Sequence, residues 1–407
     1  MTTVEPAPPR QKIEVATMPQ AGSGKRRFYL PEVDGIRCLA VLLVWIHHNA
    51  SGPGRFLQGL AATGWIGVNV FLVLSSFLIT TLLMLEAEAK GSISLPRFYS
   101  RRILRIWPLL ALALVLNYLL LPAINYFPGG FHNAAFIHDL RCHAIPNALL
   151  LGNWSVAVFG YTAYGFSAHL WTINLEEQFY LLWPILMLYL VRKTRRILVF
   201  CVGLLAVSFL ARLYYAIVGF PHPALWVSTI TRLDPLAWGG ILALLYPRLK
   251  SWLAVRHRFY DGVIVIAIVL GCLAITTVIL HTWDWGSQSV WWKLGAIDYL
   301  VAVFVCCVIL NPVLSLIFRM PAIAWLGKIS YGLYVYSYFC ARSDQSQAVR
   351  TFSARLMGGH PYLAWWSLGM LINSLVLVGI SAASYYFFER AFLKFKERFE
   401  TILSRPA

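Results

Sequence analysis

Charge, and negative charge above all, is what this sequence has least of. Charged residues make up 13% of the chain, and 17 Asp and Glu stand against 34 Lys and Arg. Soluble domains carry about 25% charged residues, so a chain this poor in charge and 59% hydrophobic is excluded from that class and belongs in a lipid bilayer. In a soluble protein a net charge of +17 would suggest nucleic acid. Here the basic residues sit in short clusters between apolar runs, which points to control of membrane topology and to no nucleic-acid partner.

Other absences narrow the reading further. Of the seven cysteines, Cys38, Cys201, Cys272, Cys306, Cys307 and Cys340 lie in apolar runs and only Cys142 in a long polar loop, so a disulfide framework is not expected. Residues 1–27 lack an apolar stretch and end in Lys25-Arg26-Arg27. That excludes a cleaved signal peptide and predicts a disordered cytosolic tail. Ser75 has no Gly-x-Ser-x-Gly setting, so it is a poor nucleophile. The trio His138, Cys142 and His143 has metal-capable side chains but no zinc-like spacing, so no metal is expected. No repeat relates the two halves of the chain, as an inverted-repeat transporter would require.

What is present is a series of apolar runs. A span needs about 20 mostly apolar residues, and ten such runs are predicted, at 34–51, 65–85, 104–123, 174–191, 197–218, 231–247, 261–281, 297–318, 323–341 and 365–388. A shorter apolar piece at 145–159 suits a re-entrant or interfacial segment. With the N-terminus inside, the inside stretches hold 26 of the 34 Lys and Arg. The outside loops hold only Arg55, Arg141, Lys293, Arg342, Arg350 and Arg355, while Arg212 and Arg232 fall within spans. The expected fold is an all-α integral membrane bundle of about ten transmembrane helices with both termini cytosolic. Residues 1–27 would form the tail, 28–395 the transmembrane domain and 396–407 a cytosolic C-terminal tail. The largest outside loop, about 124–173, is rich in His, aromatics and Gly.

The first run, VLLVWIHHNASGPG (41–54), ends on two histidines. Ionisable groups within a bilayer are expensive and usually face a bundle interior or a cavity. Arg37 and His48 are eleven residues apart, which on a helix brings them within about 20° of one face and roughly 16 Å apart along the axis. His47 turns about 100° away, which suits a structural or interfacial role. Asp34, one turn before Arg37, is placed to pair with it. On the second run Asn69 and Ser76 share a face and suit helix packing.

These features resemble a known family. YLPEVDGIRCLAVLLVWIHH (29–48) resembles the opening helix of the membrane acyltransferase-3 family, whose pattern runs Asp-Gly-x-Arg, ten residues, then His. GWIGVNVFLVLSSFLI (64–79) resembles its second helix, with Asn69 in place of a usual acid and Ser76 in place of a usual Gly. FYSRRILRIWPL (98–109) resembles the basic start of the third helix, and HLWTINLEEQFYLLWPIL (169–186) the Trp-Ser-Leu-x-x-Glu-x-Gln-Phe-Tyr segment. LGKISYGLYVY (326–336) and ASYYFFERAF (383–392) resemble the closing helices, although Ala391 replaces a common proline. These motifs in order are specific where each alone is weak.

The resemblance implies an integral-membrane O-acyltransferase that moves an acyl group, acetyl first of all, from acyl-CoA to a hydroxyl of a cell-surface or lipid-linked saccharide. It implies His48 and Arg37 as essential residues and Glu176 as the recurring acid, with Glu176 orienting His48 or gripping a sugar hydroxyl. Such chemistry needs a base for the acceptor hydroxyl, the role expected of His48; an acyl-histidine relay remains open. Arg97, Arg101, Arg102 and Arg105, with Arg37, are expected to hold the polyanionic acyl-CoA. Acyl-CoA would be a donor substrate rather than a permanently bound cofactor. The expected location is a bacterial inner membrane, the partners being donor, saccharide and lipid. Because the chain ends about 18 residues past the tenth run, transfer is expected to finish in the membrane domain or with a partner. Acylation of a macrolide or other small metabolite, and non-enzymatic glycan or lipid transport, are the alternatives.

Overall fold

The computed structural model describes residues 18–19, 26–49, 59, 61–123, 130–162, 166–255, 258–281, 289–341 and 369–404. Parts of the expected N-terminal tail and outer loop, Arg55, Arg342, Arg350, Arg355 and positions 365–368 lie outside them.

The apolar runs become helices. In chain order these are α1 (Pro31–Asn49), α2 (Ile66–Lys90), α3 (Leu95–Val115), α4 (Ala134–Ala148), α5 (Gly152–Phe159), α6 (Trp171–Leu190) and α7 (Thr194–Val218). They continue as α8 (Leu233–Val255), α9 (Arg258–His281), α10 (Val290–Leu310), α11 (Pro312–Phe318), α12 (Pro321–Lys328), α13 (Ser330–Ala341) and α14 (Met370–Ser384). Among the described residues, β structure amounts to a two-residue antiparallel pair, Met18–Pro19 with Arg26–Arg27, and one bridge from Arg27 to Leu403.

Among the described residues, five helical stretches are long and apolar enough to cross a membrane: Ala61–Lys90, Leu95–Ala123, Thr194–Val218, Val290–Leu310 and Met370–Phe399. Helix α1 falls outside this group because Glu32, Asp34 and Arg37 break its apolarity. Two expected spans are also subdivided. The run at 297–318 breaks at Asn311, whose side chain accepts from the backbone N–H groups of Val313 and Leu314 and so starts α11. The run at 323–341 breaks at Ile329, between α12 and α13. The outer stretch expected as a loop is largely helical, with Asn133 capping α4. The 145–159 piece divides at Leu150, which has φ 62°, into the end of α4 and all of α5.

Helix α2 lies at the centre: 83% of its most apolar window is buried, against 22% for α7 and for the stretch beginning with α14. The outer helices therefore keep apolar surface for lipid, where helix association relies on close packing rather than on the hydrophobic effect. Small residues supply that packing beside α1. A Cβ on Gly67 would collide with the Ala40 carbonyl, and one on Gly327 with the Asp34 backbone. Helix α1 is thereby clamped between α2 and α12, and this fixes the height and rotation of Arg37 and His48.

Candidate functional site

A cavity of about 1510 Å³, part of it open to solvent, runs among α1, α2, α3, α6, α13 and the C-terminal segment. One level of its wall is strongly basic, with Arg101, Arg102, Arg105 and Lys396; Arg37, Asp34, Ser75, Glu176 and Tyr180 also line it.

The charges of this wall are held by specific neighbours. Asp34 accepts from the Tyr29 hydroxyl at 2.8 Å and pairs with Arg37 Nη1 at 3.4 Å, the expected partnership. Arg101 donates to the Phe399 carbonyl at 2.8 Å and to Glu86 at 3.2 Å. The Arg102 guanidinium stacks over the Phe98 and Tyr180 rings, 5.5 and 5.1 Å from their centroids, while its Nε is buried without a hydrogen-bond partner. Arg97 is exposed and does not line the cavity, so only three of the four expected α3 arginines are brought together.

Residues expected to belong to a tail complete the wall. Ile402 and Ser404 line the cavity, and Leu403 bridges to Arg27. Lys396 pairs with Glu400 at 2.9 Å, and Ser404 donates to the same carboxylate at 2.7 Å. Burial works against the charge of Glu400, but Lys396 and Ser404 outweigh it and hold its pKa below the ordinary glutamate value. The sequence offered no signal for Lys396 or Ser404, since neither lies near a motif.

Glu176 lies in the cavity wall, its Oε1 accepting from the hydroxyls of Ser75 and Tyr180. Tyr180 is the (i, i+4) neighbour of Glu176, a spacing that could have revealed it. Among the described residues no hydrogen bond joins Glu176 to His48, so its direct chemistry is with the cavity. Its neighbour Glu177 points away and accepts from Trp107 Nε1 at 3.0 Å.

His48 is next to this cavity rather than in its wall. Between them lie Thr172 and Tyr334, whose hydroxyls hydrogen-bond to each other at 2.5 Å and which both line the cavity. Beyond this pair His48 packs edge-on against Tyr338 at 5.2 Å and against His169 at 6.2 Å. His47 faces elsewhere, as its phase predicts: Nδ1 is 2.6 Å from the Ala61 carbonyl oxygen, where it donates its proton. That contact staples α1 to the start of the Ala61–Lys90 stretch.

The other polar residues singled out in the sequence serve packing. Ser76 donates to the Leu236 carbonyl at 2.5 Å. Asn69 donates to Asp298 at 2.5 Å and accepts from Arg232 at 2.8 Å. His143 contacts Ser155 at 2.7 Å through Nδ1 and Asp139 at 3.8 Å through Nε2. Burial lowers the pKa of His143, opposed by Asp139. Cys142 is 3.7 Å from His138. No group of three metal-capable side chains converges among the described residues.

With this geometry established, comparison with known proteins gives the class. Residues 30–382 match the acyltransferase domain of the acyltransferase-3 family, and the chain belongs to that family. It is 30% identical over 332 residues to the peptidoglycan O-acetyltransferase OatA of Listeria monocytogenes, covering 77% of this chain and 49% of that protein. It is 28% identical over 327 residues to the O-acetyltransferase OatA of Staphylococcus aureus strain NCTC 8325, covering 76% of this chain and 50% of that protein. The chain spans about half the length of these curated relatives. No solved structure matches it.

Proposed function

We propose that the protein is a multi-pass O-acyltransferase of a bacterial inner membrane. It transfers an acetyl group from acetyl-CoA to a hydroxyl of a cell-surface or lipid-linked saccharide. The observation that carries this reading is a single helix, α1, bearing Arg37 in the wall of a cavity rich in arginine and His48 three turns further along. The names of the relatives, which are O-acetyltransferases and in one case act on peptidoglycan, support an acetyl group and a saccharide acceptor.

In this reading Arg101, Arg102, Arg105 and Lys396 receive the phosphates of the nucleotide, for which paired cationic donors are the natural ligands. The pantetheine arm extends past Arg37 and Glu176 toward Thr172 and Tyr334. His48 removes the proton of the acceptor hydroxyl as its oxygen attacks the thioester carbonyl carbon. The C–S bond then breaks, and the departing sulfur takes the proton from His48. Glu176, fixed by Ser75 and Tyr180, orients the donor arm. Both termini are cytosolic, on the side of the acyl-CoA supply.

The test uses purified full-length protein in lipid nanodiscs with acetyl-CoA and a panel of saccharide acceptors. The expected result is release of free CoA thiol that depends on the acceptor, with acetylated saccharide detected by mass. Neither product forming with any acyl-CoA would overturn the proposal.

A further inference from the structure

The residue closest in character to His48 is one to which no role has yet been given. His169 is buried two residues ahead of α6; among the described residues neither ring nitrogen makes a well-aligned hydrogen bond, its polar neighbours being backbone groups of Tyr334 and Val335. A buried imidazole without a well-aligned partner is costly and is better explained by a ligand than by packing. The ring is also held in place. It stacks on Tyr338 at 5.4 Å with 22° between planes, and Tyr334 stands edge-on at 5.1 Å. The His169 carbonyl accepts from the Tyr334 hydroxyl at 2.7 Å, which ties its backbone to the wall of the cavity.

His169 and His48 face one another, with ring centroids 6.2 Å apart and planes at 66°. A reacting carbonyl carbon between them needs an oxyanion donor about 2.7–3.1 Å from its oxygen, and a base about 2.6–3.2 Å from the attacking hydroxyl. Two imidazoles at this separation can supply one each. Their roles differ by surroundings. His169 precedes the first turn of α6, where the positive end of the helix dipole disfavours a cation; a neutral imidazole there donates one N–H and does not take up a proton. His48 lies at the end of α1, where the dipole partly offsets the cost of burying the imidazolium formed when it accepts a proton.

We propose that His169 is the oxyanion donor of the acyl transfer, opposite the base His48; this rests on the acyl-transfer reading above. As the acceptor oxygen bonds to the acyl carbon, the carbonyl π electrons move onto oxygen, and His169 N–H donates a hydrogen bond to it. When the carbonyl re-forms, the C–S electrons leave with sulfur, which is protonated by His48. His169 keeps its proton throughout. The acyl carbon reaches the two rings where the Thr172–Tyr334 hydroxyl pair closes the cavity.

Two substitutions separate this role from packing. His169→Phe keeps a ring to stack on Tyr338 and removes the donor; His169→Gln removes the ring and keeps an N–H. Losing one oxyanion donor costs about 10²–10³ in turnover. His169→Phe should therefore lower kcat by about that factor with a nearly unchanged acetyl-CoA KM, while His169→Gln stays within about tenfold of wild type. Folding of each is checked by size-exclusion profile and thermal midpoint in nanodiscs. Near-normal kcat in His169→Phe would overturn the inference, and so would a folded His169→Gln as inactive as His48→Ala. An inactive wild type would remove the acyl-transfer reading and this inference together, whereas an active wild type with an active His169→Phe removes this inference alone.

Discussion

Two collections of arginines and acids are buried in this protein, and they differ in what they open onto. Around the cavity, Arg37, Arg101, Arg102 and Arg105 stand with Asp34, Glu86 and Glu176 along an accessible wall. On the far side of α2, Arg212 pairs with Asp234 at 2.7 Å, and Arg232 faces Asp298 at 3.7 Å with Trp226 stacked 4.3 Å from its guanidinium. None of these last residues lines the cavity, and both arginines are almost fully buried. The sealed set joins α2, α7, α8 and α10, with Asn69 bonded to both Arg232 and Asp298. The contrast teaches that intramembrane charge marks a functional region only when it meets open space; sealed, it is a fastening between helices.

The comparison can be broken at its sealed side first, where the largest stability effect is expected. Removing one partner of a buried pair costs about 3–5 kcal/mol because the other charge is left uncompensated. Arg232→Ala should therefore abolish most folded yield, measured by fluorescence-detected size exclusion in detergent. A well-folded, active Arg232→Ala would mean that the sealed cluster fastens nothing.

On the cavity side the expected loss falls on the donor instead. A hydrogen bond to a charged group contributes about 1.5–3 kcal/mol. Replacing Arg101 and Arg102 together with Gln should thus raise the acyl-CoA KM of the folded fraction by at least about tenfold. An unchanged KM would leave these arginines as topology signals. Arg97 is exposed and off the wall, so Arg97→Gln should fall within about 0.5 kcal/mol of wild type in stability and leave the donor KM alone.

A pH-dependent effect is expected at the C-terminal strap. The depressed pKa of Glu400 means that its pairing with Lys396 and Ser404 stabilises the strap above the ordinary glutamate range and is lost as pH falls through the lower, folded value. Glu400→Gln keeps a polar amide beside the buried Lys396 and should cost about 1–3 kcal/mol near neutrality, and this difference from wild type should disappear on acidification. A difference that grew as pH fell would have the wrong sign for this pairing.

Much of this was legible in the sequence, for reasons that can be named. The 3.6-residue period put Arg37 and His48 on one face and turned His47 aside, and the Ala61 contact agrees with that separation. Asp34 lay one turn from Arg37 and pairs with it. Local spacing could not reveal the sealed cluster, whose members Asn69, Arg212, Arg232, Asp234 and Asp298 come from four helices and the short turn before α8, nor the return of Lys396 and Ser404 to the cavity. It could not separate Arg97, which is exposed and off the cavity wall, from its neighbours, because a run of basic residues says nothing of which face each occupies. His169 was visible in the segment HLWTINLEEQFY, but only the packing shows that its nitrogens lack a well-aligned partner among the described residues.

The central claim is that α1 ends in two histidines of different roles, His47 stapling the helix and His48 acting as the base. The most direct measurement is kcat for His48→Ala and His47→Ala, each in nanodiscs with acetyl-CoA and a working acceptor. General-base catalysis contributes about 10²–10⁴-fold. The account predicts a loss of that order for His48→Ala in a folded protein, and for His47→Ala mainly a stability loss of about 1 kcal/mol from the missing hydrogen bond. Near-normal turnover in His48→Ala, or the two effects reversed, would contradict it.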